Sequence, residues 1–272
     1  MLFIKLLFKN IFRFITGSSY RKFAFYAFKY GNYPRSKKKE IRINGKIISV
    51  PDTLAFIWQF YEIYVEEFYC FPTKNNQKPV IFDCGANMGL SCMYFKQKYP
   101  SSKILAFEAD PEIANILKLN IENTDLKDVT LIPKAVWTHG DGIEIVSDGA
   151  DGGSAFTEGT KIKVPSVRLR DWIDKESEID MLKMDIEGAE TDVLKDCGES
   201  LRKVKNLFVE FHSFRGQEQT LSDILKLLEE LKFRYYILSP AIRKKPLIFQ
   251  FEKKKQNIDL QVNIFAFNTI NS

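Results

Sequence analysis

From Pro79 to Asn268 short apolar runs alternate with stretches of helical period, and no other feature of the chain limits its fold as tightly. PVIFDCG, KILAFEADP, VTLIPKAVW, IDMLKMDIEG, NLFVEFH, RYYILS and LQVNIFAFN read as strands, the third continuous across Pro133. LSCMYFKQKYP, PEIANILKLNIENT, a segment through Cys197 and LSDILKLLEELKF read as the helices between them. Strand runs that are apolar throughout are buried on both faces, so repeated strand–helix–strand units give a mostly parallel sheet with helices on both sides. Ligands of such sheets sit beyond the carboxyl ends of the strands, near the switch in strand order.

The first strand runs into VIFDCGANMGLS, residues 80–91. Asp83, Gly85 and Gly89 fall where strand turns into helix, and glycines there let the backbone approach a ligand while the helix N-terminus points into the site. The second strand ends in Glu108, 25 residues after Asp83, placed to accept both hydroxyls of a ribose. Together they mark a bound nucleoside; a tight turn with a solvent-facing Glu is the plainer alternative. A dinucleotide site would show G-x-G-x-x-G, whereas this loop is G-x-x-x-G, with Ala86, Asn87 and Met88 between the glycines. A carboxylate just before the loop repels a pyrophosphate and suits a sulfonium and an α-amino group. Charge therefore favours S-adenosylmethionine over NAD.

At 272 residues and 45% hydrophobic, the chain can bury one sizeable core. We expect three parts: an amphipathic basic extension at 1–39, a β-hairpin and helix at 40–78 covering the active-site side, and a catalytic domain at 79–272. Asn44-Gly45 marks the hairpin turn, and Asp52 stands as a cap for a helix over 52–70. Cys70, Cys84, Cys92 and Cys197 show no metal-ligand spacing, and a chain of this size does not depend on disulfides, so a reducing, cytoplasmic setting is expected. The formal charge of +5 is concentrated at Arg35 to Lys39, Arg243 to Lys245 and Lys253 to Lys255. Those runs read as solvated surface, or second as contacts for anionic lipid or glycan, and they are too short and scattered for a nucleic-acid module.

MLFIKLLFKNIFRFI is too charged and too short to span a bilayer, and no small-residue cleavage site follows it. Wound as a helix, it gathers Lys5, Lys9 and Arg13 into one stripe and leaves Leu and Phe over the rest. Two readings stand side by side: residues 1–30 lie peripherally on the inner face of a membrane, or the helix packs on its own domain or a second subunit. Nothing in the sequence sets an oligomeric state.

VIFDCGANMGLS, ILAFEADP, VPSVRLRDWI, IDMLKMDIEGAETDVLK and NLFVEFH, in that order over residues 80–212, resemble the successive motifs of the FkbM family of S-adenosylmethionine-dependent methyltransferases. KMDIEGAE is the most specific of them; DCGAN and EADP depart mildly from the family's DVGAN and EPDP. The resemblance implies an α/β, Rossmann-like class I methyltransferase: a seven-stranded, mostly parallel sheet with an antiparallel last strand, helices on both faces, and here an N-terminal helical and hairpin extension. It implies methyl transfer to an oxygen, commonly of a sugar or polyketide. Asp83, Gly85, Asn87 and Gly89 are then expected to face the methionine part of the cofactor, and Glu108 the ribose. Ala135 and Val136 either meet the adenine or simply pack. Asp185 is expected where cofactor and acceptor meet, and family analogy puts Ser154, in the glycine-rich insertion at 138–160, near the cofactor.

Glu187 and Glu190 follow Asp185, and the acids have three possible uses: holding a divalent metal, assisting proton removal, or capping a helix while positioning Lys183. Only Asp185 and Glu187 stand out as ligands, so metal is not the favoured reading. An alcohol is a poor nucleophile unless its proton leaves as the new bond forms, and a positioned base contributes about 10²–10⁴-fold. His212, at the end of NLFVEFH, is the expected base, with Glu210 on the same strand face as its orienter; a structural histidine is the alternative. His139, beside Gly140 and Asp141, reads as solvated. The expected activity is O-methylation of a hydroxyl of a glycan, glycolipid or related metabolite, in cell-surface polysaccharide biosynthesis. A non-catalytic nucleoside-binding partner module and a nucleotide-dependent oxidoreductase are the alternatives.

Overall fold

The structure, a computed structural model, describes residues 13–35, 37–73, 78–146, 161–240 and 258–269. A helical turn at 13–16 leads into helix α1 (Ser18–Tyr30). Strands β1 (Lys39–Ile43) and β2 (Lys46–Val50) form the expected hairpin, with Asn44 and Gly45 at φ 48° and 85°, the two left-handed residues that a tight hairpin turn needs. Asp52 caps helix α2 (Thr53–Phe60) by accepting the N–H groups of Leu54 and Ala55 at 2.8 and 3.0 Å, and the helix continues as a π turn over Tyr61–Val65.

Strand–helix–strand units follow: β3 (Val80–Cys84), α3 (Leu90–Lys98), β4 (Lys103–Phe107), α4 (Pro111–Thr124) and β5 (Val129–Ile132). Short strands β6 (Ala135–Trp137), β7 (Ile143–Val146), β8 (Lys161–Val164) and β9 (Ser166–Arg168) precede helix α5 (Leu169–Ile173). The chain then forms β10 (Ile179–Met184), α6 (Glu190–Cys197), β11 (Val204–Phe214), α7 (Leu221–Glu230), β12 (Phe233–Leu238) and β13 (Ile258–Asn268).

Seven strands make the main sheet in the order β12-β13-β11-β10-β3-β4-β5. β13 is antiparallel to both neighbours and the other described pairings are parallel, as expected for the last strand. VTLIPKAVW is not one strand. Pro133 has no N–H to give a ladder, so β5 ends at Ile132 and β6 leaves the sheet to pair with β9. Because β10 lies on one side of β3 and β4 on the other, the strand order reverses at β3, and the crevice opens at the carboxyl ends of β3 and β10.

Alternation along the strands sends side chains to two cores. Ile81, Ile104, Met181 and Phe208 pack with α3, α4, the hairpin and Tyr26, Phe56 and Phe60 of the N-terminal region. Phe82, Leu105, Leu182 and Val209 pack with α5, α6 and α7. Residues on both sides of the 33–39 connector therefore bury one apolar surface in common. Arg13, the described member of the N-terminal cation stripe, turns toward its own chain: its guanidinium meets Glu66 at 2.6 and 3.3 Å and the Tyr61 hydroxyl at 3.2 Å. Lys5, Lys9, Ser154 and the basic clusters at 243–245 and 253–255 lie outside the described residues.

Asn120 of α4 fastens the hairpin to the sheet. Its amide accepts the Ser49 N–H at 2.7 Å and donates to the carbonyls of Ser49 and Met88 at 2.8 and 2.9 Å, in a place 1% exposed. Asn120→Ala leaves those backbone groups short of partners. We expect a loss of about 2 kcal/mol, read as a fall of roughly 5 °C in Tm by thermal melting, whereas exposed Lys118→Ala should change Tm by less than about 1 °C.

Candidate active site

The loop after β3 is shaped by two contacts that exclude a side chain. Gly85 has φ +81°, and a Cβ there would stand 1.8 Å from the Asp185 carbonyl oxygen, so β3 and β10 can approach only with glycine at this point. Its N–H and that of Ala86 are both donated to the Phe107 carbonyl, at 3.0 and 2.9 Å. Asn87 takes a left-handed φ of 48° and aims its N–H at Glu108, 2.8 Å from Oε2. The other carboxylate oxygen of Glu108 accepts the Asp110 N–H at 3.0 Å. Burial nevertheless dominates over these two donors and pushes the Glu108 carboxyl up to about 7.

Gly85, Asn87, Glu108, Ala135, Val136 and Asp185 line one cleft of about 1140 Å³, which His212 and Glu187 also line. Asp83 and Gly89, expected in the same wall, stand behind it. The Asp83 carboxylate is fully buried, accepting from the Ser91 hydroxyl at 2.5 Å and lying 3.4 Å from the Lys183 ammonium. Gly89, at φ +87°, begins α3, and a Cβ on it would meet Leu117 Cδ1 at 2.5 Å, so its glycine serves helix packing.

Lys183 sits directly across from Asp83 in the β10–β3 register. Its ammonium donates to the Gly85 carbonyl at 2.7 Å and lies 3.4 Å from Asp83 and 3.5 Å from Asp185. Burial alone would lower its pKa, but Asp185, Asp83 and Glu210 outweigh burial and raise it, so this interior lysine is charged. A lysine within the apolar run IDMLKM was the sequence signal for it, since buried lysines persist only when paired.

Beyond β10 and β11 the acids and His212 converge. His212 is 5% exposed, and its Nδ1 donates to Glu190 Oε1 at 3.2 Å. Glu190, not Glu210, therefore makes the hydrogen bond to the ring. Glu210 Oε1 and Glu187 Oε2 instead face the other ring nitrogen, Nε2, at 3.7 and 3.9 Å. Burial pulls the imidazole down, but the hydrogen bond and charge of Glu190, with the charges of Glu187 and Glu210, carry it well above the usual histidine value. The same contacts favour the charged form of the ring. Burial and neighbouring carboxylates raise Glu187 to about 8, Glu210 to about 7 and Glu62, from the π turn, to about 8. Asp185, Glu187 and His212 each offer a ligand atom, all within 4.8 Å of one another, a third ligand beyond the two acids visible in sequence.

Trp58, Glu62, Tyr69, Phe214 and Gln261 also line the cleft, and Gln261 donates to Glu210. The helix expected over 52–70 ends, with its π turn, at Val65, and Trp58 and Glu62 from it line the cleft. His139 lies in an exposed turn, where its Nδ1 accepts the Asp141 N–H at 3.3 Å. Glu190 was named in the sequence only as an acid on the following helix; nothing local in the sequence marks it as the partner of a histidine 22 residues away.

Comparisons with known proteins identify the family. The model of the methyltransferase FkbM domain matches residues 83–235. Methyltransferase sdnD of Sordaria araneosa is 33% identical over 193 residues, covering 54% of this chain and 73% of its own. The 2-O-methyltransferase NoeI of Sinorhizobium fredii is 27% identical over 175 residues, covering 55% of this chain and 71% of its own. A solved methyltransferase FkbM from Methylobacillus flagellatus aligns with a TM-score of 0.46 at 14% identity, over 78% of this chain and 53% of that one. With the domain match spanning more than half of its length, the chain belongs to the FkbM family of S-adenosylmethionine-dependent methyltransferases.

Proposed function

We propose that the protein methylates a hydroxyl of a glycan, glycolipid or related hydroxylated metabolite. The observation that carries this reading is the acid–imidazole cluster of Asp185, Glu187, Glu210 and His212, which faces the same cleft as the glycine loop and Glu108. Hydroxyl acceptors need somewhere for a proton to go; this cluster provides it within reach of the loop. That NoeI is a 2-O-methyltransferase agrees with an oxygen acceptor.

The residues present fit the cofactor. Gly85 keeps the loop backbone bare, Asn87 lines the wall beside it, and the Glu108 oxygens each keep a lone pair after accepting one backbone N–H. In this reading Gly85, Asn87 and Asp185 hold the methionine part, Glu108 the ribose and Ala135 the adenine, while Asp83 acts through Lys183 and Gly89 through packing of α3. When bound, S-adenosylmethionine supplies a methyl carbon whose bond to sulfur breaks, leaving a thioether, as its bond to the acceptor oxygen forms. The hydroxyl proton passes to the cluster, where Glu187 and Glu210 flank the His212 ring. Asp185 orients the acceptor, and Glu190 positions His212 from behind.

The same proposal places the enzyme at the inner face of a membrane through residues 1–30. Phe14, Ile15, Phe25 and Phe28 are 49, 68, 54 and 93% exposed there, beside Arg21, Lys22 and Lys29. Sedimentation with anionic lipid vesicles tests it: Phe25→Asp with Phe28→Asp should release the protein, and equal sedimentation of this variant would reject membrane contact.

Methyl-labelled S-adenosylmethionine, offered with separated glycan, glycolipid and RNA fractions, should label the first two as methyl ethers; label confined to amines or RNA rejects the assignment. Glu108→Gln should weaken S-adenosylhomocysteine binding at least about tenfold, or 1.4 kcal/mol, in calorimetry at pH 8. Ionised Glu108 is the form that accepts hydroxyl donors, so native affinity should fall as pH drops through about 7, and the Gln variant should lose that dependence. Glu190→Gln should lower kcat about 10–100-fold with little change in KM for S-adenosylmethionine, a split that a general loss of structure would not give.

A further inference from the structure

We propose that Asp185, Glu187 and His212 form a binding site for a divalent cation of the Mn²⁺ or Mg²⁺ kind, which in the methyltransferase reading holds the acceptor hydroxyl. Their ligand atoms lie within 4.8 Å of one another. Around a cation with bonds of about 2.1 Å, ligand atoms stand roughly 3 Å apart when adjacent and 4.2 Å when opposite. Closing the three onto a cation therefore takes side-chain adjustments of about an ångström or less.

His212 is built as a ligand. Its side chain is 3% exposed, and Nε2 borders the cleft with its nearest carboxylate oxygens at 3.7 and 3.9 Å. Those separations are too long for hydrogen bonds. The 3.9 Å between Nε2 and Glu187 Oε2 falls within the roughly 3–4.2 Å that two ligands of one such cation span. Nδ1, on the far side, is fixed by Glu190, the carboxylate–imidazole relay that orients metal-binding histidines and sets their tautomer.

Glu190 organises a second ligand as well. Its Oε1 also accepts the N–H groups of Ile186 at 3.2 Å and Gly188 at 3.0 Å, on either side of Glu187. Glu187 itself is held at φ 56°, a left-handed conformation that a non-glycine residue keeps only when its surroundings impose it. One fully buried carboxylate thus sets both the histidine ring and the loop that presents Glu187. Four carboxyl groups, those of Asp185, Glu187, Glu210 and Glu62, face this one cleft, and the Lys183 ammonium is divided between Asp83 and Asp185.

Two carboxylates and one imidazole suit manganese somewhat better than magnesium, because magnesium prefers oxygen alone. The coordination positions left toward the cleft would take the two oxygens of a vicinal diol, which narrows the acceptor to a sugar-like polyol. Bound there, a hydroxyl becomes more acidic and its proton passes to Glu210, which remains outside the ligand set.

Calorimetric titration of the chelator-treated full chain with MnCl₂, without any adenosyl ligand, tests the site. Native protein should bind one Mn²⁺ saturably, with Mg²⁺ competing. Glu187→Gln and His212→Asn should each weaken binding at least tenfold, Glu190→Gln should weaken it 10–100-fold, and the exposed Glu199→Gln should leave it unchanged. Absence of saturable binding to the native chain overturns the proposal. So does native-like Mn²⁺ affinity in both ligand variants. A chain that binds Mn²⁺ in this pattern but not S-adenosylhomocysteine would keep the cation site and reject the cofactor reading, so the two failures are distinct.

Discussion

A single interior ammonium ties the site to the sheet. Lys183 lies at the switch between β3 and β10, donates to the carbonyl of Gly85 and is shared by Asp83 and Asp185. It thereby holds the glycine loop, the end of β10 and the acid that lines the cleft in one fixed arrangement. Burial of a lysine is tolerable only with such partners, and removing one partner from a buried pair typically costs 3–5 kcal/mol because the other charge remains. This explains why Asp83 stands behind the wall: its charge is spent on Lys183, leaving Asp185 and Glu108 to face ligands. Gly85 completes the arrangement, since any side chain there would collide with the Asp185 carbonyl.

Glu190 has the corresponding place on the acceptor side. Three donors from two parts of the chain, the Ile186 and Gly188 amides of one loop and the His212 ring, converge on one of its oxygens. The wall opposite is supplied by the N-terminal region, where the π turn after α2 carries Glu62 into the cleft. An extra residue per turn re-aims side chains, and such turns are frequent at functional sites. Because α1, the hairpin and α2 share their apolar core with β3, β4, β10 and β11, the extension that supplies this wall is stabilised by the same burial as the sheet.

Much of this was legible in the residues. Continuous apolar strand runs specified a parallel sheet because burial on both faces leaves no polar side; Asn44-Gly45 and Asp52 specified the hairpin and the cap because few residues meet those backbone demands. Gly85 and Glu108 were readable because their chemistry is local to a strand end. Pro133 was misread as part of one strand, although its missing N–H splits β5 from β6.

What the sequence by itself determined was the fold class, the family and the glycine loop beside Glu108, since these rest on periodicity and on residues adjacent in the chain. Tertiary structure alone decided which acids meet: Glu190 with His212, Asp83 with Lys183, and Asp185 and Glu187 with a histidine more than two dozen positions on. The upward shift of the His212 pKa followed from that meeting. Electrostatic shifts depend on distances through space, and spacing along a chain does not encode those until the strands are laid side by side.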